Sequence, residues 1–210
     1  MTLTRMLFLL ALVACEPAPP EVAATPESSP APLDTAAPDC EPAPPEVAAE
    51  PETLPSPFDA ETLAWALPVG TVIELVRFYS SGKEFFDQWE IVEANDREVV
   101  IRTTALFYPI PGFDGPHPFE DETYTWEELE SGGRFPAAST VVRETVIKTP
   151  IGTLPVRVYV VETSTEAIER TSYYFSPAFP GAWVRVDREM QGEILESRQV
   201  IRVTTPRESY

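Results

Sequence analysis

The chain contains few histidines, cysteines and positive charges. Its 210 residues include one histidine and two cysteines, and 15 Lys and Arg against 34 Asp and Glu give a net charge of −19. No basic residue occurs between Arg5 and Arg77. Because a polyanion is bound by clustered lysines and arginines, this distribution argues against nucleic acid as a partner. No His or Cys pair has the spacing of a zinc site, so we expect no metal and no cofactor.

Long apolar runs are also absent, and the one at the N-terminus is short. Met6–Val13 follows Arg5 and falls far below the roughly 20 residues that a membrane span needs. Residues 1–14 are therefore predicted to be a secretory signal. The next feature is Leu12-Val13-Ala14-Cys15, which fills every place of a lipobox, and in this the chain resembles bacterial lipoproteins. The resemblance implies cleavage before Cys15, lipid on its sulfur and permanent attachment to a membrane; ordinary secretion is the alternative.

Residues 15–57 have the composition of a spacer. They are rich in Pro, Glu, Ala, Ser and Thr and almost free of aromatic residues, so they cannot bury enough apolar surface to fold, and we expect disorder. The ten residues from Cys15 recur identically from Cys40, with a period of 25 residues. We interpret Cys40 as a product of this duplication rather than as the site of an intermolecular disulfide. If Cys15 carries no lipid, a Cys15–Cys40 disulfide becomes possible.

Residues 58–205 have the pattern of one folded domain, followed by a tail of residues 206–210. Asp59 is predicted to cap a helix over Ala60–Leu67, and Thr125 a second short helix over Trp126–Glu130. Elsewhere β-branched and aromatic runs alternate with turn residues. The predicted strands are Thr71–Tyr79, Glu84–Glu93, Glu98–Tyr108, Thr140–Lys148, Leu154–Glu162, Arg170–Ser176, Trp183–Glu189 and Glu193–Thr204.

These patterns predict a mainly β fold, an antiparallel meander that forms a half-barrel, a barrel or a sandwich. Alternation places Val99, Ile101, Ala105 and Phe107 on one face of a strand. The segments 150–156 and 173–184 loosely resemble uncharacterised periplasmic β-rich lipoprotein domains. The strand pattern is also similar to the curved sheet of lipoprotein carriers, which implies an apolar concavity for acyl chains.

Candidate catalytic groups are few. His117 lies in a Pro-rich loop with no nucleophile motif beside it, and a solvated loop histidine is the default interpretation. The same loop carries the acids Asp114, Glu120, Asp121 and Glu122. They could supply oxygen ligands to a calcium ion, but they lack EF-hand spacing, and a solvated acidic loop is the default interpretation. We therefore expect no enzyme. The alternative is a secreted hydrolase that acts through carboxylates or His117.

Aromatic residues are more numerous than one sheet needs on its buried face. They either close the core or line a surface for an apolar ligand or a partner. For that surface we select Phe85, Trp89, Phe175, Phe179 and Trp183. The sequence thus predicts a cell-envelope lipoprotein, on the outer rather than the inner membrane, with a non-catalytic binding or structural domain. Its partners would be the membrane, through Cys15, and an apolar ligand or an envelope protein.

Overall fold

The computed structural model describes residues 52–164 and 168–206. The predicted signal peptide, the lipid-attachment residue Cys15, Cys40 and nearly all of the spacer lie outside the described residues, as do residues 207–210. Within the described ranges, no helix is long and apolar enough to cross a membrane.

The described chain is built mainly of strands, with two short helices and one 3-10 turn. In chain order the elements are β1 (Thr53–Leu54), α1 (Ala60–Ala66), β2 (Val72–Tyr79), β3 (Glu84–Ala94), β4 (Glu98–Phe107), β5 (His117–Pro118), β6 (Glu122–Thr125), α2 (Trp126–Ser131), β7 (Phe135–Pro136), the 3-10 turn (Ala137–Ser139), β8 (Thr140–Thr149), β9 (Gly152–Ser164), β10 (Ile168–Phe175), β11 (Trp183–Met190) and β12 (Glu193–Thr204).

Ten of these strands form one antiparallel sheet. Its order is β5-β4-β3-β2-β12-β11-β10-β9-β8, and β6 also pairs with β4. Two meanders, β2–β4 and β8–β12, are therefore joined side by side through the pairing of β2 with β12. Since β5 and β8 occupy opposite ends of the order, this sheet is open within the described residues. The predicted mainly β, antiparallel fold is confirmed, and the closed barrel among the predicted alternatives is wrong.

Local signals account for both helices. The Asp59 carboxylate accepts the Thr62 amide at 2.8 Å and caps α1. Thr125 and Glu128 form a reciprocal capping box at the start of α2, which satisfies two amides that would otherwise lack partners. Both predicted caps are confirmed.

The two helices cover one part of the sheet. Leu63 of α1, its C-cap residue Leu67, and Trp126 and Leu129 of α2 pack against the sheet. The buried side chains of the sheet that they meet are Ile73, Leu75, Trp89, Ile91, Val99, Ile101 and Val200. Two smaller clusters involve the other meander. Leu154, Val156, Val158 and Val184 form one, and Tyr159 and Phe175 form the other together with Phe135 of β7.

One predicted face is wrong at its last position. Val99, Ile101 and Ala105 are buried as alternation predicts, but Phe107 is 50% exposed. The register between β3 and β4 shifts at this point, so that Ala105 opposes Asp87 and Phe107 opposes Phe86. The extra residue of this bulge removes Phe107 from the buried row.

The folded domain also extends beyond its predicted start at Phe58. Strand β1 pairs with β7, with Leu54 opposite Phe135, and Leu54 packs against the cluster that contains Phe135. A two-residue strand that pairs with another two-residue strand carries no periodic signal, which explains why the sequence pattern did not reveal it.

Candidate functional site

A pocket of about 650 Å³ opens beside the C-terminal end of α1. The connection between β10 and β11 and the last residues of β12 complete its wall. We call it the Trp65 pocket; its lining includes Trp65, Pro68, Phe179, Trp183, Val203 and Pro206. Its volume lies within the range of about 300–1,000 Å³ that is usual for small-molecule sites.

The lining of the Trp65 pocket is apolar. None of the described residues that line it is acidic or basic, and its two hydroxyl groups belong to Thr71 and Thr205. Thr71 is 1% exposed, and its Oγ1 has no hydrogen-bond partner in the described structure. Trp65 is 81% exposed, which is unusual for the largest apolar side chain. This lining offers apolar contact and no charge with which to pair an ionic group.

A glycine allows the wall of the Trp65 pocket to close against the helix. Gly181 has a φ of +111°, and a Cβ atom there would lie 2.8 Å from Cγ and Cδ2 of Leu67. A side chain would therefore be strained by the backbone and would also collide with the helix. Pro68 follows the α1 cap residue Leu67, so the chain turns towards β2 at the base of the pocket.

The structure separates the five aromatic residues selected from the sequence. Phe179 and Trp183 line the Trp65 pocket together. Trp89 is 5% exposed and belongs to the core, where its ring meets that of Trp183 edge to face at 5.5 Å. Phe175 is buried against Phe135 and Tyr159. Only Phe179 and Trp183 are therefore brought together in the pocket.

Phe85 lies in a different environment from the other four. The centroid of its ring lies 5.3 Å from that of Tyr79 and 5.0 Å from that of Tyr108, and both pairs are edge to face. Tyr79 accepts a hydrogen bond from Arg77, and Tyr108 donates one to Asp87.

Trp65 was not selected from the sequence, although a signal was present. In α1, Leu63 and Leu67 are four residues apart and face the core, which is the helical spacing. Trp65 is two residues from each and so lies on the other face of the helix. A tryptophan on the exposed face of an amphipathic helix is therefore the residue to examine first.

A second feature is a row of ion pairs across the sheet, which we call the charge row. It consists of Arg77, Asp87, Glu169, Arg188, Glu196 and Arg198. The side chains of Asp87 and Glu196 are only 5% and 6% exposed. Three carboxylates face three guanidinium groups, so the charges balance.

The charge row crosses the junction between the two meanders. Arg77 on β2 contacts Asp87 on β3 at 3.2 Å and Glu196 on β12 at 3.6 Å. Glu196 also contacts Arg188 on β11 at 3.6 Å and is paired with its neighbour Arg198. Buried charges are tolerated when each is paired in this way.

Burial and pairing act in opposite directions on the Arg77 charge. Burial alone would lower its pKa, but the hydrogen bond to Tyr79 and the nearby carboxylates of Asp87 and Glu196 outweigh burial and raise the pKa. Burial also raises the pKa of Tyr108, helped by the hydrogen bond that its hydroxyl donates to Asp87 at 2.7 Å. Because the three positive and three negative charges pair within the sheet, the row has no net charge with which to bind an ionic ligand. We expect it instead to join the two meanders.

The loop of the hydrolase alternative does not form a constellation of catalytic groups in the described structure. His117 is exposed and opposes Ala105 in the short β4–β5 pairing. The centroid of its ring lies 6.2 Å from that of Phe119. Asp121 accepts two hydrogen bonds of 2.8 Å from Arg102, and Glu122 accepts one from Tyr124. No group of three or more His, Cys, Asp or Glu side chains in the described ranges could hold a metal ion.

Comparison with known proteins gives structural similarity only. No protein-family model matches the chain, and no curated protein matches it. The chain is similar to MucB in complex with MucA(peri), with 15% identity, a TM-score of 0.46 and 70% of this chain covered. It is similar to the Pseudomonas aeruginosa MucA/MucB complex at 14% identity and a TM-score of 0.46. It spans 56% and 57% of the lengths of the two matched chains.

Proposed function

We propose that the domain is a non-catalytic module that binds an apolar ligand in the Trp65 pocket. The observation that carries the proposal is an uncharged pocket of about 650 Å³ with a tryptophan at its rim that is 81% exposed. Covering the Trp65 ring and the pocket wall removes apolar surface from water, at roughly 25 cal/mol per Å². No acid or base among the described lining residues is available to act on a bound molecule.

The chemistry of the ligand follows from the lining. A mostly apolar molecule, such as one bearing an acyl chain, matches this lining, because the pocket has no charged side chain that would need an ionic partner in the ligand. One polar atom can be accommodated near Thr71 or Thr205, the two hydroxyl-bearing residues of the lining. Apolar pockets with few polar groups are typical of small-molecule sites.

Copurification tests this function. The Cys15→Ser chain, purified from cells, should retain a small apolar molecule that is visible as an added mass in native mass spectra. Trp183→Ala, which removes one wall of the pocket, should lose that molecule. Phe107→Ala, which removes an exposed aromatic ring outside the pocket lining, should retain it. Spectra of the Cys15→Ser chain without any added mass, even after incubation with fatty acids, would contradict the proposal.

We also propose that the domain is anchored to a membrane of the bacterial cell envelope through lipidated Cys15. The lipobox supports this, and two or more acyl chains give stable attachment. The mature protein should enter the detergent phase on phase separation, and the mass of its N-terminal peptide should include the lipid. Cys15→Ser should stay in the aqueous phase, whereas the matched Cys40→Ser should not change the partition. An unmodified Cys15 sulfur would contradict the anchor and leave the pocket proposal standing.

A further inference from the structure

Strand β8 lies at one end of the sheet with an unused edge. It pairs with β9 over ten residues, and no described strand pairs with its other side. All six residues from 141 to 146 are exposed. They include Val141, Val142 and Val146, at 65%, 40% and 63% exposure. An edge strand leaves half of its amide and carbonyl groups available to another strand.

We propose that β8 pairs with β8 of a second copy of this chain, antiparallel and about a two-fold axis. Symmetry limits the possible registers. Directly opposed residues of an antiparallel pair point to the same face of the sheet, whereas adjacent residues of one strand point to opposite faces. The two-fold axis therefore cannot pass between two adjacent residues. One residue must lie on the axis and oppose its own copy. The six exposed positions from 141 to 146 are the candidate centres.

Charge complementarity selects one of these centres. A centre at Arg143 or at Glu144 would place like charges directly opposite one another, which destabilises a strand pair. Centres at Val141, at Val142 and at Thr145 bring no charges together. A centre at Val146 places Glu144 of each copy opposite Lys148 of the other and sets the two Val146 side chains against each other.

The Val146 register fits the strand in two further respects. In this register, residues that lie equally far before and after Val146 oppose each other. Arg143 therefore opposes Thr149, and the paired segment runs from residue 143 to residue 149. It stops before Pro150, which lacks an amide to donate. In the monomer Glu144 contacts Arg157 at 3.1 Å, and both side chains are more than half exposed, so the Glu144 carboxylate remains accessible to a lysine of the second copy.

The association is measured by sedimentation velocity on the Cys15→Ser/Cys40→Ser chain, which excludes lipid and disulfides as causes. The chain should form a concentration-dependent dimer. Val146→Lys should raise the dissociation constant at least about tenfold, because it places two lysines opposite each other. Val141→Lys, at matched exposure and outside the paired segment, should change it by no more than about twofold. A monomer at all concentrations, or equal effects of the two variants, would overturn the proposal.

Charge exchange tests the register itself. Glu144→Lys and Lys148→Glu should each weaken the dimer, and the double variant should restore it, because the opposite charges again face each other. In the same cysteine-free background, Val146→Cys should oxidise to a covalent dimer, since opposed residues lie close enough for a disulfide. Val141→Cys should not. Failure of the double variant to restore the dimer, or cross-linking through Val141→Cys alone, would overturn the register.

Discussion

Replacement of Glu196 tests whether the charge row holds the two meanders together. The Glu196 side chain is 6% exposed and lies against the guanidinium groups of Arg77, Arg188 and Arg198. Glu196→Gln keeps the shape of the side chain but leaves three positive charges facing two carboxylates. Removing one partner of a buried ion pair costs about 3–5 kcal/mol. The arginines are 16% to 36% exposed, so we expect the low end, about 3 kcal/mol.

A matched control lies at the same junction. Glu74 on β2 is paired with Arg202 on β12, whose side chain is 65% exposed. Glu74→Gln therefore removes a carboxylate that joins the same two strands, but the charge left behind is solvated. Pairs of this kind contribute about 0–1 kcal/mol.

Urea unfolding at neutral pH measures both variants. For Glu196→Gln the midpoint should fall while the slope stays unchanged, because the native fold is retained. The loss should persist in high salt, whereas any effect of Glu74→Gln should be screened. Equal losses in the two variants, or a Glu196→Gln protein as stable as the wild type, would refute the assignment of a stabilising role to the charge row.

Three further outcomes follow from the structure. The pKa of Tyr108 is raised in the fold, so its contribution to the free energy of unfolding is present below pH ~10. The contribution is lost at higher pH, because the tyrosine of the unfolded chain ionises first. Tyr108→Phe should therefore flatten the alkaline decline in the free energy of unfolding. An unaltered decline would exclude Tyr108 as its source. Gly181→Ala should lower the melting temperature, because its Cβ meets Leu67, and wild-type stability would contradict the contact. Thr125→Ala removes the α2 cap and should cost about 1 kcal/mol in urea unfolding; no loss would show that the cap is replaced by water.

Most strands and both helices were predictable because their signals are local. The Asp59 and Thr125 caps carry such signals, and β12 has the predicted bounds of Glu193–Thr204. The pairing of β2 with β12 was not predictable. Periodicity shows which face of a strand is buried, but it does not show which of two strands more than a hundred residues apart in the chain are neighbours. The bulge that removes Phe107 from the buried row was likewise not predictable, because the alternation of apolar and polar residues does not show where a strand carries an extra residue.

The candidate site was predictable only in part. Phe179 and Trp183 were selected as members of an apolar surface, and both line the Trp65 pocket. Trp89 was indistinguishable from them in sequence, because a buried aromatic and a pocket aromatic obey the same alternation. The burial of Asp87 and Glu196 was not predictable, because it depends on side chains that neighbouring strands supply.

Quenching of tryptophan fluorescence by a bromine-labelled acyl chain tests the central claim most directly. The four tryptophans of the chain are Trp65, Trp89, Trp126 and Trp183, and Trp65 and Trp183 line the pocket. We predict saturable quenching that falls in Trp65→Phe and in Trp183→Phe, because each variant removes one of the two tryptophans that line the pocket. Quenching should be unchanged in Trp126→Phe, since Trp126 is 3% exposed in the core. Quenching that does not saturate, or that is equal in all three variants, would contradict binding in the Trp65 pocket.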